Sequence, residues 1–293
     1  LSGFIWGQFK LIMILGTGIF LSLVLKGFTL TYIAVAFKQL FSKEEDSSSG
    51  EISSFQSLTT ALSATVGTGN IAGVATAIFV GGPGAIFWMW VSAVFGMATK
   101  FAEAFLAIKY REKNELGETI GGPMYYIKNG LTSKFIVFAY LFAAAGMIAA
   151  LGIGNGVQVN SVSQVINNEF GFSTFSIGIV IAILVALVIL GGIKSIGNIT
   201  SKLVPIMSLV YILGGLLIII LNANQVGYVF NLIVTSAFTT TAATGGFAGA
   251  TVWMALRYGV ARGVFSNEAG LGSSPIAHAA AKTNNPVKQG MIS

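Results

Sequence analysis

Apolar runs of roughly twenty residues, separated by short polar connections, recur along this whole chain. A run of that length with few charges is long enough to cross a bilayer as a helix. The pattern predicts seven membrane segments at about 9–25, 55–80, 85–108, 134–165, 174–191, 203–221 and 228–256, and the start of an eighth near Gln289. Residues 27–40 have an amphipathic pattern suited to the membrane interface, and 42–54 form a polar loop. Gly81-Gly-Pro-Gly is a turn signal between the second and third segments. The repeated short alternation of a transmembrane β-barrel is absent. The expected fold class is an all-α integral membrane protein, with residues 1–293 forming a single transmembrane domain.

Composition agrees. Of the 293 residues, 54% are hydrophobic and 9% charged, against about 25% charged in a typical soluble domain. Mean hydropathy is +0.82. Without cysteine, disulfide and thiol chemistry are excluded. The first apolar run has neither a basic leader nor a small-residue cleavage site, so it reads as a span rather than a signal peptide.

The net charge of +6 does not signal nucleic acid, because its placement follows the spans. Lys26, Lys38 and Lys43 follow the first segment. Lys109, Arg111, Lys113, Lys128 and Lys134 follow the third, Lys194 and Lys202 the fifth, and Arg257, Arg262, Lys282 and Lys288 the seventh. If each segment crosses once, all of these fall on one side, and Lys10 lies opposite. The basic side is cytoplasmic by the positive-inside tendency, which puts the amino terminus outside. The expectation is a multi-pass protein of the cell membrane, a prokaryotic inner membrane, with lipid as its surroundings. The sequence carries no signal for oligomeric state.

The second segment contains Ser63-Ala-Thr-Val-Gly-Thr-Gly-Asn-Ile-Ala-Gly73. Three glycines, several hydroxyls and an amide at membrane depth predict a break in the helix. Bare backbone groups cost several kcal/mol against lipid, so such a break survives only where it lines a cavity. The seventh segment carries a second candidate break at Thr244-Gly-Gly. Taken singly, Gly73, Gly245 and Gly249 read as helix-packing glycines. Taken as a pair, the breaks lie five spans apart, as the first helices of two oppositely oriented five-helix units would.

Asp, Glu, Lys, Arg and His are all absent from 55–80 and 228–256. A charged solute would need a buried counter-charge, whereas a zwitterion would not. Its carboxylate can take free amides at a half-helix start, its ammonium can take carbonyls at a half-helix end, and a sodium ion can take carbonyls with Thr, Ser and Asn oxygens.

Thr60-Ala-Leu-Ser-Ala-Thr-Val-Gly-Thr-Gly-Asn-Ile-Ala-Gly-Val and Gly81-Gly-Pro-Gly-Ala-Ile-Phe-Trp-Met-Trp resemble the alanine or glycine:cation symporter family. So do Lys100-Phe-Ala-Glu, Lys109-Tyr-Arg, Gly121-Gly-Pro-Met-Tyr-Tyr-Ile, Gly154-Asn-Gly-Val-Gln and Gly263-Val-Phe-Ser-Asn-Glu-Ala-Gly-Leu-Gly-Ser-Ser-Pro-Ile-Ala-His. The runs are spread over nearly the whole chain in family order. The resemblance implies a sodium-coupled carrier of small neutral amino acids, alanine and glycine, with Na+ as coupling ion and no organic cofactor. It also implies a leucine-transporter-like inverted-repeat bundle with two unwound helices and an extra amino-terminal helix. By matching positions, Thr68, Gly69 and Asn70 would hold the substrate carboxylate. Gln158 would face the substrate, and Gly245, Gly246 and Phe247 would supply carbonyls and a pocket wall. The carbonyls of Ser63 and Val66 would belong to one sodium site, and Thr65 and Asn70 to a second. The chain stops at the eighth span, so the family's C-terminal helices, which complete the common sodium site, are expected to be absent. A truncated, transport-inactive fragment and a proton-coupled carrier are the alternatives.

Other residues read more plainly. His278 is expected in a cytoplasmic loop. Glu268 is either a gate or a loop residue. Lys100 and Glu103 share a helix face and suit an ion pair, and Trp88 and Trp90 suit the interfacial aromatic belt. A channel would need filter or charge rings, and an enzyme a nucleophile–base set or metal cluster. Neither is present in the sequence.

Overall fold

The computed structural model describes residues 7–42, 49–240 and 251–293. In chain order the helices are α1 (Gln8–Val24), α2 (Phe28–Thr31), α3 (Ile33–Leu40), α4 (Ser54–Thr65), α5 (Ala72–Gly81), α6 (Gly84–Lys109), α7 (Pro123–Gly130), α8 (Ile136–Ala149), α9 (Asn155–Phe170), α10 (Thr174–Ile189), α11 (Gly192–Leu221), α12 (Val226–Ser236), α13 (Val252–Asn267), α14 (Ser274–Ala279) and α15 (Pro286–Ile292). A two-stranded antiparallel ribbon pairs Glu112 with Ile120 and Lys113 with Thr119. The structure is thus that of a helical membrane protein. Among the described residues, three helical stretches are long and apolar enough to cross a bilayer: Gly84–Lys109, Ser133–Phe170 and Gly192–Leu221. The helices Ser54–Thr65 and Thr68–Gly81, bent by 60° at their junction, are together long and apolar enough for a broken span or a re-entrant loop.

The chain forms two compact units. One contains residues up to 32 with 69–100 and 205–270; the other contains 33–68, 101–204 and 271–293. In the first, α13 packs along α5 and touches α1. Small residues bring α13 close to α6 as well: a Cβ on Gly259 would lie 2.7 Å from the Trp88 Cβ, and one on Gly263 would overlap the Ser92 hydroxyl. Trp88 donates its indole N–H to the Ala237 carbonyl at 3.2 Å and meets Phe238 edge-on, so it belongs to packing on α12. In the second unit, α4 packs on α14, α7 on α8, α9 on α10, and α15 on α3.

Two boundaries differ from the sequence expectation. The sixth segment, expected from about residue 203, begins at Gly192 and runs 30 residues straight through Pro205. Lys194 and Lys202 are therefore helical rather than in a connecting loop, which long side chains at a helix end tolerate by reaching their charge toward water. The seventh segment, expected to end at about 256, is instead α12 followed by α13, so Arg257 and Arg262 lie within a helix rather than after it.

Candidate functional site at the broken helix

Helix α4 begins in a capping box. The Ser53 hydroxyl accepts from the Gln56 amide at 3.0 Å, and the Gln56 side chain accepts from the Ser53 amide at 2.9 Å. The helix ends where Val66 turns extended, at φ −94° and ψ 112°. A 3-10 turn, Thr68–Asn70, and then α5 follow. The break anticipated from the Gly-Thr-Gly-Asn run is present.

A break leaves two kinds of orphan group. Leu62 is the last engaged carbonyl of α4, accepting from the Val66 amide at 2.8 Å and the Thr65 hydroxyl at 3.1 Å. Among the described residues, no donor reaches the carbonyls of Ser63, Ala64, Thr65 or Val66. They sit at the negative end of α4, where a cation is favoured. The Ser63 hydroxyl is turned back on the Thr60 carbonyl at 2.7 Å. At the start of α5 the first engaged amide is that of Ala75, donating to Ile71 at 3.0 Å. The amides of Ala72, Gly73 and Val74 find no acceptor among the described residues. Among the described residues, then, carbonyls at the end of α4 and, separately, amides at the start of α5 lack backbone partners; the first kind of group suits a cation and the second a carboxylate.

Gln158 meets the break from α9, just after a π-turn at Ala150–Gly154. Its Oε1 accepts from both the Thr68 amide, at 3.1 Å, and the Thr68 hydroxyl, at 2.7 Å. A Cβ on Gly67 would overlap the Gln158 carboxamide, so a side chain there would push Gln158 out of its place beside Thr68. Thr68 and Gln158, ninety residues apart, are brought together as the sequence motifs suggest. Ser63, Thr65 and Val66 lie at the end of α4, and Gly69 and Asn70 on the 3-10 turn. Gly245, Gly246 and Phe247, and with them the second break, lie outside the described residues.

In the other unit Arg262, on α13, lies against Gly69 and Gly73. A Cβ on Gly69 would be 2.8 Å from Nη2, and one on Gly73 would overlap Nη1. Arg262 Nε donates to the Ser266 hydroxyl at 3.0 Å, and the guanidinium lies 4.8 Å from the Phe265 ring centroid. Sequence reasoning missed Arg262 by taking it as the end of a span. The signal that α13 continues was Gly259-Val-Ala-Arg-Gly263, a small-residue spacing that marks helix contact.

A buried polar cluster anchors α4. His278, expected in a loop, is 1% exposed on α14. The Gln289 side-chain N–H₂ approaches His278 Nδ1 at 2.6 Å and the Ser57 hydroxyl at 2.8 Å. The Ser57 hydroxyl in turn donates to the Ser54 carbonyl at 2.9 Å. Beside it Arg111 gathers the loop before α4 and the loop after α14. Nη1 donates to the carbonyls of Ala279, at 2.9 Å, and Ala281, at 2.8 Å; Nη2 donates to those of Ser49, at 3.0 Å, and Thr283, at 2.7 Å. Burial lowers the Arg111 pKa, opposed by Glu51, yet a guanidinium remains charged. Glu103 accepts from the Gly272 amide at 3.1 Å, and Glu268 ends α13 in the left-handed conformation, at φ 54°.

Known proteins extend these observations. The chain is 53% identical over its whole length to the sodium/alanine symporter AgcS of Methanococcus maripaludis. It is 49% identical over its whole length to an uncharacterized transporter of Haemophilus influenzae and 46% identical to the uncharacterized transporter YflA of Bacillus subtilis. It spans 64% of the length of the first two and 62% of the third. The sequence model described as the sodium:alanine symporter family matches residues 1–293. With a helical membrane fold and a helix broken at the family's Gly-Thr-Gly-Asn run, this chain belongs to the sodium:alanine symporter family.

Proposed function

We propose that this chain is the larger part of a carrier that moves small neutral amino acids, alanine and glycine, together with sodium. The observation that carries the reading is the helix interruption after Thr65, where, among the described residues, the last carbonyls of α4 and the first amides of α5 lack backbone partners. Such a pair suits an ammonium or sodium ion on one side and a carboxylate on the other. That a 53% identical relative is named a sodium/alanine symporter supports the same substrate and ion.

In this proposal the carbonyls of Ser63 and Val66 hold sodium, and Thr65 and Asn70 contribute to a second ion site. Thr68, Gly69, Asn70 and Gln158 hold the amino acid, with Gly245, Gly246 and Phe247 completing the pocket. The arrangement is that of a leucine-transporter-like inverted repeat. The broken segment 54–81 starts one five-helix unit and the run from α12 onward starts the other, with α1 as the extra amino-terminal helix. Residues 1–293 form one transport domain in the cell membrane, with the amino terminus outside. Alternating access then comes from one set of helices rocking around the broken ones.

The test is alanine binding to the full-length gene product in detergent, in sodium and with potassium in its place. Binding only in sodium, lost in Asn70→Leu, supports the reading. Equal binding in both salts replaces sodium coupling with proton-driven or uncoupled transport. A folded protein that binds in neither salt is inactive or carries another substrate.

A further inference from the structure

The hydrogen bonds around His278 are set for one protonation state. His278 and Gln289 are 1% and 0% exposed. The Gln289 carboxamide nitrogen stands 2.6 Å from His278 Nδ1 and 2.8 Å from the Ser57 hydroxyl oxygen. An amide N–H₂ only donates, so Nδ1 presents a lone pair, which belongs to the neutral ring with its proton on Nε2. Ser57 in turn donates to the Ser54 carbonyl, so the bonds run from the ring into the first turn of α4. Gln289 Oε1 is buried and meets no donor among the described residues. A proton added at Nδ1 would set N–H against N–H₂. Relief requires the carboxamide to turn over and offer Oε1 to the ring. The N–H₂ then leaves the Ser57 hydroxyl, and a hydroxyl that turns to donate to Oε1 gives up the Ser54 carbonyl. Either way the start of α4 loses a hydrogen bond. The charges on the surrounding elements have their own places. Helix α4 carries none. Arg111, just after α6, holds the carbonyl of Ala279, next to His278 in the chain, and opposes a second cation there; Lys282 and Lys288 are cations too. Glu51, before α4, takes the Thr119 amide; Glu103, on α6, takes the Gly272 amide; Glu118, beside the second strand, takes the Asn114 side chain. The Tyr126 phenol on α7 stays neutral, its pKa raised by burial and by Glu103.

We infer that His278 and Gln289 form a proton-operated latch on the start of α4, closed while the ring is neutral and loosened when it takes up a proton. The closed latch excludes the proton, whereas the opened one presents an imidazole of ordinary pKa, about 6.5. The latch is therefore at full strength above about pH 6.5 and weakens as pH falls below that value. One pH unit lower, the opened population is about tenfold larger than at neutral pH. The backbone tie of Ile52 to Ala280 and Lys282 has no titrating member, so the acid response enters through the ring. The helix it loosens is the one that leads to the break.

The experiment follows amide hydrogen exchange of the full-length protein in detergent at about pH 7.5, 6.5 and 5.5, with rates corrected for the intrinsic effect of pH. Peptides covering 52–60 report the latch, and peptides from α9 and α10 report the rest of the unit. In the native protein 52–60 should exchange about tenfold faster at the lowest pH than at the highest, with α9 and α10 unchanged. His278→Asn places a side-chain oxygen where Nδ1 stands. It accepts from Gln289 and cannot titrate, so its 52–60 exchange should be flat with pH. Gln289→Glu sets a carboxylate against Nδ1–H, so the closed latch keeps the proton and the acid response should again vanish. Flat 52–60 exchange in the native protein overturns the inference, an arm that needs no variant to fold. So does a rise of equal size in α9 and α10. A native-like rise in His278→Asn also overturns it, assigning the response to a carboxylate such as Glu51 or Glu103. Should His278→Asn not fold, a native-like rise in Gln289→Glu overturns it instead.

Discussion

Gln158 offers a way to separate holding the break from binding the substrate. Its Oε1 accepts two hydrogen bonds from Thr68. Gln158→Leu keeps a side chain of similar volume beside Gly67 but removes both. The Thr68 hydroxyl can rotate to a carbonyl of its own turn; the amide cannot. The loss is one net hydrogen bond plus an unsatisfied amide, about 1–3 kcal/mol. That lowers the melting temperature by a few degrees, at roughly 2–4 °C per kcal/mol for a domain of about 150–250 residues. Gln158→Glu behaves differently. Its carboxylate still accepts from Thr68, and charge-assisted bonds are stronger than neutral ones. It also sets a negative charge where a substrate carboxylate must approach. Melting near the native temperature is therefore expected, with alanine binding weakened about tenfold or more, since about 1.4 kcal/mol of repulsion suffices. Melting curves in a mild detergent and alanine titration in sodium read the two quantities. Gln158→Leu melting like the native protein, or Gln158→Glu binding alanine with native affinity, would refute the reasoning.

Other perturbations test the surrounding parts. Gly67→Val forces a side chain into the Gln158 carboxamide and should destabilise by about 1–3 kcal/mol, read as a lower melting temperature. Arg111→Ala frees four carbonyls bound by the guanidinium and should cost about 3 kcal/mol or more, with faster proteolysis near residues 49 and 283. Arg111→Lys should recover only part of that, because one ammonium cannot span both loops. Burial first, and then the Glu103 carboxylate, raise the Tyr126 pKa above that of an ordinary phenol. Its contribution to stability is therefore full below about pH 10 and lost as pH rises toward the folded value. A 295 nm titration should show a late tyrosine that disappears in Tyr126→Phe.

The sequence made the break legible because Gly67 and Gly69 stand within one turn of Thr65, Thr68 and Asn70, which weakens the helix at membrane depth, whereas a single glycine reads as a packing residue. The motifs carrying Thr68 and Gln158 suggested a common site, but only the fold shows Gln158 bonded to Thr68. Arg262 was hidden by a sound rule used too locally: a charge normally marks the end of a span, and here it sits inside a helix beside two glycines. The same rule misplaced the start of α11, where Lys194 and Lys202 are helical. His278 was hidden for another reason. A lone histidine has no sequence partner, and Ser57 and Gln289, which surround it, lie 221 and 11 residues away.

The strand-like tie at the entrance to α4 has a consequence for biosynthesis. Ile52 pairs with Ala281, the amides of Glu51 and Ile52 donate to Ala280, and Lys282 donates back to Ile52. Ribosomes deliver chain at about 5–20 residues per second, so residue 282 follows the end of α4 by about 10 to 40 seconds. Until residue 282 emerges, the first half of the broken helix is a short, polar-studded segment with nothing to hold its entrance. A nascent chain arrested before that point should insert its long apolar helices and leave α4 unsettled. The break then takes its final geometry late in synthesis, when the rest of the unit is already in place to receive it.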